Sequence, residues 1–146
     1  MSETDNAPAS VPAPPPPSPT KHGVILTEKA PKPIGPYSQA IDIGPLLFIS
    51  GQIPLDPVSS AVVAGGFEAQ AEAALANLRE VLAAAGHTFA NLVKTTVFLR
   101  NMSDFSCFNL VYERTMNGAA PARSVVEVSA LPRGVLVEIE AISCRK

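Results

Sequence analysis

Tryptophan is absent from these 146 residues, cysteine and histidine occur only twice each, and charged side chains make up just 16%. Each scarcity excludes something. Cys107 and Cys144 have no close partner and no histidine at metal-ligand spacing, so neither a disulfide framework nor a zinc site is expected, and both read as reduced, structural residues. No metal or other cofactor is implied. Lys/Arg runs are missing and the formal net charge is -2, whereas binding a phosphate backbone takes several clustered cations; no nucleic-acid partner is expected. The longest apolar stretches, such as Leu46-Leu47-Phe48-Ile49, are strand-sized and far short of the roughly 18 residues of a membrane span. Residues 1–20 hold neither a basic start nor an apolar core of a secretory signal, and they carry Glu3 and Asp5 but no Lys or Arg. The expectation is a cytoplasmic protein without a membrane partner, with processing from a mitochondrial precursor left open. Gly-x-Ser-x-Gly, GxGxxG and Walker A patterns are all lacking.

What is present suits one domain with a substantial core, since 47% of the residues are hydrophobic. So few charges leave apolar surface to be covered, which points to self-association. The first twenty residues hold seven of the fifteen prolines, including Pro14-Pro15-Pro16-Pro17, and Val11 is their only strongly apolar side chain. Such a segment buries too little to offset its ordering entropy. Residues 1–22 are therefore expected to be a disordered Pro-rich tail, and 23–146 the folded domain.

Within that domain, Val24-Ile25-Leu26 reads as a short strand, and Ala40 to Ile43 and Leu46 to Ser50 as a hairpin around Gly44-Pro45. Phe67 to Ala85 is the clearest helix, with Phe67, Ala71, Leu75, Leu78 and Leu82 at three- and four-residue steps and Gly86 as its stop. Leu92 to Arg100 alternates as a strand. Ser103 is placed as the N-cap of a second helix, which carries Phe105, Phe108, Tyr112 and Met116 and ends at Asn117-Gly118. Two last strands, Ser124 to Val128 and Val135 to Ile142, flank Leu131-Pro132-Arg133-Gly134. The order predicts an α+β fold: one mixed β-sheet with two helices on one face.

Polar residues beside backbone-restricting ones mark where chemistry could sit. Tyr37 follows Gly35-Pro36, Ser50-Gly51 ends a strand, and Arg123 opens one just after Pro121. Glu138 and Glu140 alternate with Val137, Ile139 and Ala141, so both carboxylates share a face. A solvated strand face explains the two acids as well as a shielded general base does. Arg123 admits an ion pair, for instance with Glu127, as readily as a planar clamp for a carboxylate. From the residues alone, the reading stops at a small oligomeric α+β protein with a possible anion site.

Six blocks carry a resemblance: Ile34-Gly35-Pro36-Tyr37-Ser38-Gln39-Ala40, Phe48-Ile49-Ser50-Gly51-Gln52-Ile53-Pro54, Val93 to Leu99, Pro121-Ala122-Arg123-Ser124, Val128 to Pro132, and Val137-Glu138-Ile139-Glu140-Ala141. From about Thr27 to the C-terminus the chain resembles the Rid family, the reactive intermediate deaminases, also called YjgF or liver perchloric-acid-soluble protein. The resemblance implies a homotrimer of chorismate-mutase-like subunits forming a barrel, with clefts at the subunit interfaces. It implies hydrolysis of 2-iminobutanoate and 2-iminopropanoate, imines released by pyridoxal-phosphate enzymes, to keto acid and ammonia, without a cofactor.

Carried over by position, Arg123 matches the carboxylate-binding arginine and Glu138 the acid that orients or activates water. Tyr37, Ser50 and Gly51 match the pocket wall, Asn109 a family asparagine near the cleft, and Ser124 and Val125 follow Arg123 as binding positions. Val125 departs from the cysteine common there, leaving a backbone N–H, and Thr115-Met116 replace a common aromatic pair. The alternatives are a non-catalytic ligand-binding or chaperone-like trimer, and an endoribonuclease or translation inhibitor. The latter is disfavoured by a pI of about 5.6 and the lack of a basic stripe.

Overall fold

A computed structural model describes residues 23–146. The expected Pro-rich tail, 1–22, lies outside the described residues. β-branched and aromatic runs separated by turn residues give six strands: β1 (Gly23–Ile25), β2 (Ala40–Asp42), β3 (Leu46–Gln52), β4 (Leu92–Leu99), β5 (Ala122–Glu127) and β6 (Val137–Cys144). Two helices, α1 (Phe67–Ala84) and α2 (Phe105–Met116), lie between β3 and β5 in sequence. The sheet order is β1-β2-β3-β6-β4-β5. Every neighbouring pair is antiparallel except β4 and β5, which α2 joins as the crossover that a parallel pair requires. This is the mixed α+β sheet the sequence predicts.

One face of the sheet is apolar because its strands alternate. Leu47 and Ile49, Val97 and Leu99, and Val137, Ile139 and Ala141 all point the same way and are buried. The apolar stripe of α1, Ala71, Ala74, Leu75, Leu78, Val81 and Leu82, closes over them together with Phe108, Val111 and Met116 of α2. Each fully buried leucine contributes on the order of 2 kcal/mol. α1 stops where expected, with Gly86 at φ +76°, and α2 stops on Asn117, which takes the left-handed conformation that Asn tolerates. Phe48, on the other face, is 43% exposed, and Ile41, Phe98 and Ile142 are only half-buried.

Several sequence-based boundaries shift, among them the end of β3, which runs to Gln52 rather than Ser50. Ser103 is not the N-cap of α2: Met102–Asp104 form a 3-10 turn, and α2 starts at Phe105 behind an Asp104 that caps nothing. The free N–H of Met102 instead donates to Glu127 Oε2 at 2.7 Å, a partner 25 residues away that local sequence could not reveal. β5 starts two residues before the expected Ser124, and β6 runs from Val137 to Cys144 rather than from Val135 to Ile142. Among the described residues no helix is long and apolar enough to cross a membrane.

Candidate active site

The cleft on the open face of the sheet originates in a β-bulge. Between the pairs Ile49↔Ala141 and Gln52↔Ile139, β3 places two residues, Ser50 and Gly51, where β6 places only Glu140. Bulges of this kind re-aim side chains and are common beside active sites. Here the bulge is pinned twice. Ser50 Oγ donates to the Ser38 carbonyl at 2.6 Å, and Gln52 Nε2 donates to the Ser50 carbonyl at 3.1 Å.

Gly51 leaves the space that Glu138 uses. A Cβ on Gly51 would collide with the carboxyl Oε1 of Glu138 and lie 2.8 Å from its Cδ. The carboxylate therefore rests on bare backbone, as only glycine allows. Burial pushes the Glu138 pKa above the ordinary 4.5, and the neighbouring Glu140 carboxylate adds to that rise. Shielding of this kind is one way a protein prepares a carboxyl group for acid–base work.

Tyr37 reaches the same cleft through a set of local hydrogen bonds that start at Gln39. The Gln39 side chain is almost fully buried; its Nε2 donates to the Thr27 and Pro31 carbonyls at 3.0 and 2.9 Å, and its Oε1 accepts from the Thr27 N–H at 2.7 Å. That anchors the Pro-rich run before Tyr37 against the sheet. The Tyr37 N–H then bonds the Gly35 carbonyl at 2.9 Å, and its hydroxyl accepts from the Ile34 N–H at 3.3 Å. The resulting cleft of about 360 Å³ is lined by Tyr37, Ser50, Gly51, Glu138 and Glu140, with Ile34, Ile53 and Pro132 as its apolar walls.

Arg123 is elsewhere. In register it faces Thr95, which faces Ala141, whereas Glu138 faces Phe98, which faces Val126. Residues directly opposite share a face, so Arg123 projects to the helix side and Glu138 to the open side. Two strand spacings, roughly 10 Å, separate them as well. The Arg123 guanidinium lies over α2, its Cζ 4.9 Å from the Tyr112 ring centroid and 5.9 Å from those of Phe105 and Phe108. Cation–π contacts of this geometry contribute about 0.5–2 kcal/mol each. Among the described residues no carboxylate pairs with it, and Glu127, the ion-pair partner considered from sequence, is engaged by Met102.

The remaining candidates cluster near Arg123. Asn109 belongs to the same side of α2, one turn after Phe105 and three residues before Tyr112; its Oδ1 is buried without a hydrogen-bond partner. Val125 packs against the core on the helix side. Ser124 points to the open side, where it accepts from Lys94 Nζ at 2.9 Å. One chain thus groups the candidates in two places: Tyr37, Ser50, Gly51 and Glu138 in the open-face cleft, and Arg123 of β5 with Asn109 of α2 on the helix side.

Other places suit chemistry less well. A larger concavity of about 630 Å³ runs beside Phe89, Leu92, Thr115, Met116, Asn117 and Pro121, and no ionisable side chain lines it. The substituted Thr115-Met116 pair thus sits there, away from the Glu138 cleft. His87 is buried and engaged through Nδ1 with Ser143 at 2.8 Å, so it faces no substrate. Sequence reasoning did not identify the apolar walls Ile34, Ile53 and Pro132, nor the ring bed under Arg123. The rings at 105, 108 and 112 were legible as a helical stripe, but such a stripe reads first as core packing.

A family model described as Endoribonuclease L-PSP matches residues 27–144. The chain belongs to this family, the YjgF/RutC/Rid proteins. Among relatives of the Rid family, a 2-iminobutanoate/2-iminopropanoate deaminase from Mus musculus is 52% identical over 120 residues, 82% of this chain and 89% of that protein. A RutC family protein from Pyrococcus horikoshii is 50% identical over 123 residues, covering 84% and 98%. The crystal structure of E. coli TdcF with bound serine superposes with a TM-score of 0.82 at 38% identity, covering 85% of this chain and 99% of that one.

Proposed function

We propose that this Rid-family protein hydrolyses 2-iminobutanoate and 2-iminopropanoate to the 2-keto acids and ammonia, in clefts shared between subunits of a homotrimer. The observation that carries this reading is the separation of the two half-sites. Arg123 presents a cation without a carboxylate partner at the β5 edge strand, and Glu138 sits in a cleft on the opposite face. A substrate bearing both a carboxylate and an electrophilic carbon needs both groups, so a neighbouring copy must supply one of them. The exposed Phe48 and the half-buried Phe98 and Ile142 of the open face give that copy an apolar surface to cover. Relatives about 50% identical that bear the deaminase name support the same substrate class. So does the serine bound to TdcF, an amino acid with a carboxylate next to its nitrogen-bearing carbon.

The chemistry is short. Arg123 of one subunit holds the substrate carboxylate through paired N–H donors, fixing the imine carbon over the Glu138 cleft of the next. Glu138 takes a proton from water as the water oxygen bonds to that carbon, and the C=N double bond becomes a single bond to an amine. Glu138 returns that proton to the nitrogen, giving the neutral carbinolamine; it then takes the hydroxyl proton and passes it to the amine, so that the C–N bond breaks as the C=O bond forms, releasing ammonia and the keto acid. Positioning and one general base suffice because an imine is already electrophilic; the base contributes about 10²–10⁴-fold.

The test couples a threonine dehydratase to this protein and follows loss of the imine. Acceleration over buffer, lost in Arg123→Ala and in Glu138→Gln, is the expected result. No acceleration by wild type removes the activity; full activity in Arg123→Ala removes the site.

A further inference from the structure

Tyr112 is a buried aromatic residue whose hydroxyl is not left to solvent. Its Oη and Thr95 Oγ1 are 2.8 Å apart, and both side chains are buried. Thr95 is also the register partner of Arg123 across β4 and β5. One ring is thereby tied to the strand residue that flanks the arginine while its face lies 4.9 Å from the arginine's Cζ. The hydroxyl bond stops the ring from swinging away, and the phenol stays neutral because burial raises its pKa above the ordinary 10.0. Phe105 and Phe108 supply two more ring faces at 5.9 Å. A guanidinium bedded on neutral π-faces is oriented without being neutralised, so its N–H edges stay available to an incoming anion.

We propose that Tyr112, locked by Thr95, is a positioning residue that sets the orientation of Arg123 for carboxylate recognition. This rests on the reading of Arg123 as the carboxylate clamp. The ring touches no reacting atom, and its effect is on binding of the anionic end of the substrate rather than on proton transfer at Glu138. It also sets a specificity: the site prefers a carboxylate over an isosteric neutral amide, and the strength of that preference depends on the ring.

Pyruvate and its amide are the probes, with affinities measured by calorimetry on the intact protein and kinetics on the imine in parallel. Tyr112→Leu is expected to weaken pyruvate binding about tenfold and to leave pyruvamide within about twofold, shrinking the discrimination between the two. The same variant raises KM for the imino acid by a similar factor with a much smaller change in kcat. Tyr112→Phe keeps the π-face and loses only the tie to Thr95, so it is expected to weaken pyruvate binding by no more than about threefold, clearly less than Tyr112→Leu. If Tyr112→Leu does not fold, Tyr112→Met takes its place, since its thioether fills the volume without a π-face. Unchanged pyruvate affinity in Leu or Met overturns the proposal, as does equal loss for pyruvate and pyruvamide. Equal damage from Phe and Leu, or a wild type that does not bind pyruvate, overturns it too. A wild type that binds pyruvate in this ring-dependent way yet does not hydrolyse the imine leaves the positioning role standing and removes only the proposed reaction.

Discussion

Arg123 and Glu138 project from opposite faces of one sheet, with β4 between their strands. No side-chain rotation within a chain brings a guanidinium on the helix side to a carboxylate on the open side. If both act on one substrate, each active site takes Arg123 from one copy and Glu138 from another. Refolding a mixture of inactive Arg123→Ala and Glu138→Gln chains is therefore expected to restore activity. At equal mixing in a closed trimer, about a quarter of the shared sites would receive both native residues. A mixture as inactive as its components places both groups in a single chain, contrary to the register.

Glu138 should govern the acid limb of the pH profile. Burial is the larger cause of its raised pKa, and Glu140 the smaller. A general base works when deprotonated, so kcat/KM is expected to rise with pH through an apparent pKa above the ordinary 4.5. In Glu140→Gln that limb moves to lower pH, because the like charge is gone but the burial remains. A limb unmoved in Glu140→Gln separates the rate from this carboxylate.

Gly51→Ala is expected to injure catalysis more than folding. The added methyl meets the end of the Glu138 side chain, which can rotate aside, so little stability is lost. Moving a catalytic carboxylate by about 1 Å can cost about 10²-fold in rate. Thermal melting close to wild type with kcat reduced by that order is the expected pair of results.

Gln39→Leu tests how the cleft wall is held. The leucine fills the volume but leaves the Thr27 N–H and the Thr27 and Pro31 carbonyls without their side-chain partner. A fully buried group left unpaired costs about 1–3 kcal/mol, and these groups are half-buried, which sets the low end of that range. Denaturant titration should show a loss of that size, and KM should rise because the run leading to Tyr37 loses its anchor.

His87 should make folding sensitive to mild acid. Burial is the main cause of its depressed pKa, Arg145 adds to it, and Asp42 opposes it. The native imidazole resists a proton that the unfolded chain accepts near the ordinary 6.5, so the unfolded state binds more protons below that pH. Stability is accordingly complete above about 6.5 and falls as pH drops toward the depressed native value, by at most about 1.4 kcal/mol per pH unit. Melting temperatures across pH 5–7.5 should show this slope, with a shallower one in His87→Gln.

The sequence by itself determined the elements and the faces. Alternation along Val137 to Ala141 placed Glu138 and Glu140 together, the three- and four-residue steps gave both helices, and the motif blocks gave the family, because these patterns depend on neighbours within a few residues. It also named Arg123, Tyr37, Ser50 and Gly51 from their place beside turns and strand ends, and Glu138 from its alternation along the last strand. Tertiary structure alone decided which of them meet. Strand order puts β6 between β3 and β4, and the bulge at Ser50-Gly51 turns the Glu138 carboxylate onto the glycine backbone. Register sends Arg123 to the other side, onto a bed of rings whose stripe read as core. Pairing partners and register are set by contacts between residues far apart in the chain, and a one-residue slip would move every side chain to the opposite face. Local sequence supplies the two half-sites; only the folded sheet shows that they point away from each other.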